Sequence, residues 1–268
     1  MEKFRIAGRI ILIAALGTVL AISAHAQDLS KGRWVDLTHP FNAKSVYWPT
    51  ARSFNKQTVF AGRTPAGFYY SAYNYSAAEH GGTHMDAPVH FAQGRMAADQ
   101  VPVSQLIGPG VVIDVTKQSA ANVDYLVGPS DFAAHERVHG RIPRGAIVLI
   151  NTGRAHLYPD RKKYMGTAER GESAVPKLHF PGLSKEGAQL LLVRRVGAVG
   201  IDTPSIDYGQ SEKFEAHVTL MRNNIPAFEN VADMSSLPSR GFTVIALPMK
   251  IEGGSGGPLR IVAHVPGG

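Results

Sequence analysis

The sequence predicts an α/β fold, a single domain in which helices flank a mixed β-sheet. Three observations carry that expectation. Short apolar runs at Val111–Val115, Ala146–Ile150 and Ala198–Ile201 have the length of strands and little polar alternation, the pattern of strands buried on both faces. Segments that begin with helix-capping residues lie among them. The two kinds of element are mixed without a strict βαβα rhythm, which disfavours a doubly wound parallel sheet. The 268 residues suffice for one full apolar core, and no linker divides them.

Residues 1–26 stand apart from that domain. Lys3, Arg5 and Arg9 form a positive n-region, Ile10–Ile22 is an apolar run, and Ala24-His25-Ala26 is an A-x-A cleavage site. They read as a signal peptide, with a mature domain over 27–268 that is periplasmic or secreted. The run is short for a membrane span, and a retained anchor is the alternative.

Trp34–Leu37 is expected as an opening strand, closed by Pro40. Phe68–Tyr75, rich in aromatic residues, is a strand that leads into a histidine cluster. Gly108-Pro109-Gly110 punctuates the chain before the run 111–115. Ser130 is placed to cap a helix reaching about Val138. Pro143-Arg144-Gly145 turns the chain into 146–150. Ser184 opens a helix through about Arg195, with Ala188, Leu191 and Leu192 on its apolar side and Gly197 just past its end. The strand 198–201 stops at Asp202-Thr203-Pro204. Phe214–Met221 reads as helical, and Phe242–Leu247 and Leu259–Val265 as late strands joined through Gly253–Pro258.

Composition narrows the chemistry. There is no cysteine, so a metal site must use nitrogen and oxygen ligands. The formal charge is +7, and removing residues 1–26 leaves about +5. The basic residues are scattered, with Arg161-Lys162-Lys163 the densest group, so nucleic acid is not an expected partner.

The informative stretch is Glu79–His90, EHGGTHMDAPVH. It places His80, His84, Asp86 and His90 within eleven positions. Gly81, Gly82 and Pro88 break any continuous helix, so this is not the helical H-E-x-x-H arrangement. A kinked loop lets such side chains converge on one point. Imidazole with carboxylate suits zinc, manganese or iron, and three protein ligands leave positions open for water and substrate. A divalent ion there acidifies water and polarises an amide carbonyl. A nearby unligated histidine can carry the proton. His90, beyond Pro88, suits that task; a further metal ligand is its alternative role.

His80-Gly81-Gly82-Thr83-His84-Met85-Asp86-Ala87-Pro88-Val89-His90 resembles the H-x-G-T-H-x-D-x-P-x-H signature of the cyclase family, which includes kynurenine formamidases and isatin hydrolases. Gly200-Ile201-Asp202-Thr203-Pro204-Ser205 resembles a second family segment, and the likeness runs from about Trp34 to Val265. The resemblance implies a swivelling β/β/α type of fold. It implies that His80, His84 and Asp86 bind a first metal, that Asp86 bridges to a second in two-ion members, and that His217 and Glu229 complete the second site. It implies His90 as proton donor and acceptor, and Mn²⁺ or Zn²⁺ as cofactor, one ion or two. It also implies a homodimer or higher homo-oligomer.

Trp48 resembles a pocket-lining aromatic of the family, and Phe68 and Tyr70 are candidates to line a site for a flat ring; core packing is the competing role. Asp202 and Asp207 read as groups that orient the metal ligands or as structural residues, with the structural role preferred. Gly253–Pro258 is a turn, or a place where backbone N–H groups approach a substrate oxygen. The leading expectation is hydrolysis of a C–N amide bond in a small cyclic or aromatic amide, isatin first, with no membrane association after signal cleavage. N-formylkynurenine hydrolysis is the alternative. From another class, the alternative is a non-catalytic periplasmic metal- or ligand-binding protein.

Overall fold

The structure, a computed structural model, describes residues 29–267. The signal segment expected at 1–26 lies outside the described residues. Twelve strands are described: β1 (Arg33–Asp36), β2 (Asn55–Arg63), β3 (Tyr69–Ser76), β4 (His84–Asp86), β5 (Ile107–Asp114), β6 (Leu126–Val127), β7 (Ile147–Asn151), β8 (Gly182–Leu183), β9 (Ala198–Ile201), β10 (Ala227–Glu229), β11 (Arg240–Pro248) and β12 (Gly256–Val265). Eight of them form one sheet in the order β1-β12-β11-β5-β7-β9-β10-β4. The pairs β5–β7, β7–β9 and β9–β10 are parallel and the rest antiparallel, so the sheet is mixed. The sequence led us to expect that mixture, but not its closure. β4 pairs with both β10 and β12, and this closes the sheet from β12 round to β4 into a barrel.

The apolar runs have the two buried faces their composition required. Along β5 and β7, side chains alternate between two cores, as a period of two demands. Val112, Ile147 and Leu149 point inward, where they meet Phe228, Val244 and Ile261. Val111, Val148 and Ile150 point outward, against Phe132, Leu191 and Leu220. Those last three lie on helices Pro129–His139, Lys185–Arg194 and Glu215–Met221, which cover the parallel part of the sheet. Arg194 donates two hydrogen bonds of 2.7 Å to Glu136, tying two of these helices together and holding the Glu136 carboxyl down at about 2.

Two local expectations are corrected. Ser130 does not cap its helix: Pro129 already occupies the first turn, Gly128 is the cap residue, and Asp131 accepts the Gly128 N–H at 2.9 Å. Ser184 does cap the next helix, accepting from Gly187 N. The last strand begins at Gly256 rather than Leu259, because Gly256, Gly257 and Pro258 pair with Asp86, Met85 and His84. Beyond what was expected, β3 pairs with β2 in a two-stranded hairpin outside the barrel. Among the described residues, no helix is long and apolar enough to cross a membrane.

Candidate active site

The short strand β4 is the foundation of the site. Its period of two turns Met85 into the barrel core and leaves His84 and Asp86 on the opposite face. Glu229 on β10 lies directly across from His84, so its side chain joins the same face. His80 arrives from the preceding loop, and that loop can turn because Gly82 adopts φ +59. At Gly81 a Cβ would lie 2.0 Å from the Tyr47 ring, so only glycine fits there. His217 comes from helix Glu215–Met221.

These residues converge. His80 Nδ1 lies 2.6 Å and His84 Nε2 3.1 Å from Asp86 Oδ1. On the other oxygen, His217 Nε2 lies 3.1 Å from Asp86 Oδ2 and 3.2 Å from Glu229 Oε1. Two groups of donors are therefore close enough to hold a cation each: His80, His84 and Asp86, and Asp86, His217 and Glu229. Asp86 belongs to both and offers a different oxygen to each.

The buried groups of the site shift one another strongly. Burial by itself would raise Asp86, yet His80, His84 and His217 hold it well below the carboxylate range. Burial and the neighbouring Asp86 charge together raise Glu229. Burial alone would lower His84, but Asp86 and Glu229 raise it to about 8, and Asp207, Asp86 and Glu229 likewise overcome burial to raise His217. His84 Nε2 is buried without a hydrogen-bond partner, although two carboxylates lie within 3.4 Å. Such an orphan costs about 1–3 kcal/mol, and a ligated cation would satisfy it.

Each imidazole has a group that fixes its tautomer. His84 Nδ1 is 2.9 Å from Gly82 O, and His217 Nδ1 is 2.6 Å from Asp207 Oδ2. Both therefore turn Nε2 toward the carboxylates, the usual support for a metal-ligating histidine. Asp207, for which the structural role was preferred, takes the orienting one: it is a direct partner of His217, and its signal was only a carboxylate ten residues upstream of a histidine. Asp202 is structural as expected, accepting from Thr152 and Ala155.

His90 is not in either group of donors. It follows Pro88 in a single helical turn and stacks on His80 with ring centroids 3.8 Å apart. His90 keeps an exposed edge, but the desolvation of its packed ring, opposed by Asp86 and aided by His80, His217 and His84, pushes it down to about 4, so the ring is neutral and can accept a proton.

All six residues open on one cavity of about 270 Å³, whose apolar walls include Val46, Trp48, Phe91, Pro204 and Phe214. Trp48 is where the sequence suggested. Phe68 and Tyr70 are not: they sit on or beside the β2–β3 hairpin, 59% and 51% exposed, and do not line the cavity. The hairpin pairs only with itself, so its side chains face outward instead of returning to the site. Phe91 and Phe214 take the place expected for them. Phe91, the neighbour of His90, stacks on His217 at 4.3 Å. The glycine-rich stretch offers no free N–H at its start, since Gly253, Gly254 and Ser255 donate to Asp99, Ile251 and Glu79.

Known proteins resemble this chain in sequence and fold. The family model described as "Putative cyclase" matches residues 35–208. An isatin hydrolase of Roseibium aggregatum is 34% identical over 196 residues, 70% of this chain and 72% of that protein. A kynurenine formamidase of Polaromonas naphthalenivorans is 25% identical over 240 residues, 90% and 94% of the two chains. Among solved structures, isatin hydrolase A of Labrenzia aggregata bound to benzyl benzoate superimposes with a TM-score of 0.78 at 30% identity, covering 88% of this chain and 94% of that one. An isatin hydrolase bound to the product analogue thioisatinate gives 0.79 at 28%, covering 89% and 94%. The chain belongs to the cyclase family of metal-dependent hydrolases.

Proposed function

We propose that this chain hydrolyses the C–N bond of a small cyclic or aromatic amide, with isatin as the first substrate to test. The observation that carries this reading is a cluster of metal-binding donors opening, beside the unligated His90, on a small apolar-walled cavity. His80, His84 and Asp86 would hold a first divalent ion, and His217 and Glu229 with Asp86 a second. Such an ion supplies an acidified water and polarises the amide carbonyl. His90 takes the proton released as the new C–O bond forms and delivers it to the nitrogen as the C–N bond breaks. Trp48, Phe91 and Phe214 hold a flat ring and exclude water from it.

Purified mature protein, loaded with Mn²⁺ or with Zn²⁺, is expected to open isatin to isatinate. Turnover of N-formylkynurenine alone would move the assignment to the formamidase reading. Turnover of neither would sink both. The choice between Mn²⁺ and Zn²⁺ follows from the same assay, since both suit nitrogen and oxygen donors.

The exported location rests on the n-region, apolar run and cleavage site of residues 1–26. A homo-oligomer is supported by the hairpin, which exposes Val59, Phe60, Phe68, Tyr69 and Tyr70. A two-stranded hairpin is marginal in water by itself, and a clustered apolar surface marks an interface. In sedimentation the protein is expected to be at least a dimer, and Phe68→Ser with Tyr69→Ser to weaken it. A wild-type monomer at micromolar concentration would contradict this.

A further inference from the structure

The glycine-rich segment Gly253–Pro258 read in the sequence as a turn, and none of the chemistry above uses it. In the fold it lies alongside the metal loop. Ser255 O accepts from Ala87 N at 2.8 Å, and Gly256–Pro258 pair with β4. Gly256 is obligatory at this approach: a Cβ there would lie 2.4 Å from Met85 O and 2.7 Å from His80 Cε1.

The side chain of Ser255 then touches His80 directly. His80 Nε2 is 2.7 Å from Ser255 Oγ, and Ser255 Oγ is 2.7 Å from Glu79 Oε2. Glu79 Oε2 also accepts the Ser255 backbone N–H at 2.9 Å. These contacts have one consistent direction. A carboxylate oxygen accepts only, so the single hydroxyl proton of Ser255 goes to Glu79. The oxygen of Ser255 must then accept from His80 Nε2–H. That places a proton on His80 Nε2; Nδ1, 2.6 Å from Asp86 Oδ1, donates to that carboxylate and would give up its proton to ligate a cation in the first donor group.

We propose that Ser255 and Glu79 are positioning residues for the metal centre: Glu79 orients the Ser255 hydroxyl, which fixes the tautomer and ring angle of His80 so that Nδ1 serves as a metal ligand. His84 and His217 are held by Gly82 O and Asp207, so each of the three imidazoles has its own fixing group. His80 alone is held by a relay from a segment 175 residues away in sequence. Outer partners of this kind are worth about 10- to 100-fold in metal affinity. The inference rests on the proposed ligand role of His80, but not on the identity of the substrate.

The test measures Zn²⁺ and Mn²⁺ affinity by chelator competition, together with the ¹⁵N shifts of the His80 ring. Ser255→Ala is expected to weaken binding about 10- to 100-fold and to release the Nε2–H tautomer. Glu79→Ala is expected to do likewise. Ser255→Thr, which keeps the hydroxyl, is expected to restore both. If Ser255→Ala binds metal as tightly as wild type with unchanged His80 shifts, the inference fails while the hydrolase reading stands. If wild type binds neither metal, both fail. Loss of isatin turnover without a change in affinity or tautomer also counts against it.

Discussion

Asp86→Asn is expected to strip the protein of its metal and its activity together. Asp86 is the only residue in both donor groups, and its two oxygens face different histidines. An amide keeps the shape but loses the charge and one acceptor. A Lewis acid supplies several kcal/mol of transition-state stabilisation, so turnover should fall by about 10³-fold or more. The metal-free chain should suffer as well. Asp86 is 1% exposed and is the counter-charge to three imidazoles. Removing one partner of a buried charged cluster costs about 3–5 kcal/mol. Metal analysis, turnover and thermal unfolding of the variant check all three expectations. A variant that retains full metal content would show that Asp86 is not a ligand.

His90→Ala is expected to separate chemistry from metal binding. His90 lies outside both donor groups but against His80, at 3.8 Å between ring centroids. Loss of a positioned proton carrier costs about 10²- to 10⁴-fold in rate. kcat should fall by that amount, while metal content stays at the wild-type level. KM should change less, because the cavity walls Trp48, Phe91 and Phe214 remain. If metal leaves with the imidazole, His90 is a ligand and the proton needs another carrier. If activity persists with metal in place, a non-catalytic role for His90 follows. A wild-type protein that binds metal but turns over no amide would favour the binding-protein alternative.

The metal loop was legible because His80, His84, Asp86 and His90 lie close in the chain, and closeness in sequence there is closeness in space. The buried strands were legible for a similar local reason: a strand flanked by two cores is apolar along its run, as β7 is from Ile147 to Ile150. What stayed hidden depends on distant pairing. β4 and β10 are three residues each, too short for any periodicity, yet their pairing closes the barrel and brings Glu229 opposite His84. Ser255 and Glu79 meet only because β12 runs beside β4, and serine and glutamate in themselves carry no signal. Phe68 and Tyr70 misled in the opposite sense. They lie just before the histidines in sequence, but the hairpin directs them to the surface. Phe214 was passed over because its neighbourhood read only as a helix start, although it packs 5.3 Å from Phe91 across the cavity.

At the centre stands one physical statement: imidazole and carboxylate donors from β4, its preceding loop, β10 and one helix share a divalent cation. Anomalous diffraction from crystals of the protein, recorded at the manganese and zinc edges, tests it most directly. A peak enclosed by His80, His84 and Asp86, alone or with a second beside His217 and Glu229, is the expected result. Fully active crystals with no anomalous peak at these residues, or with the metal bound elsewhere, would contradict it.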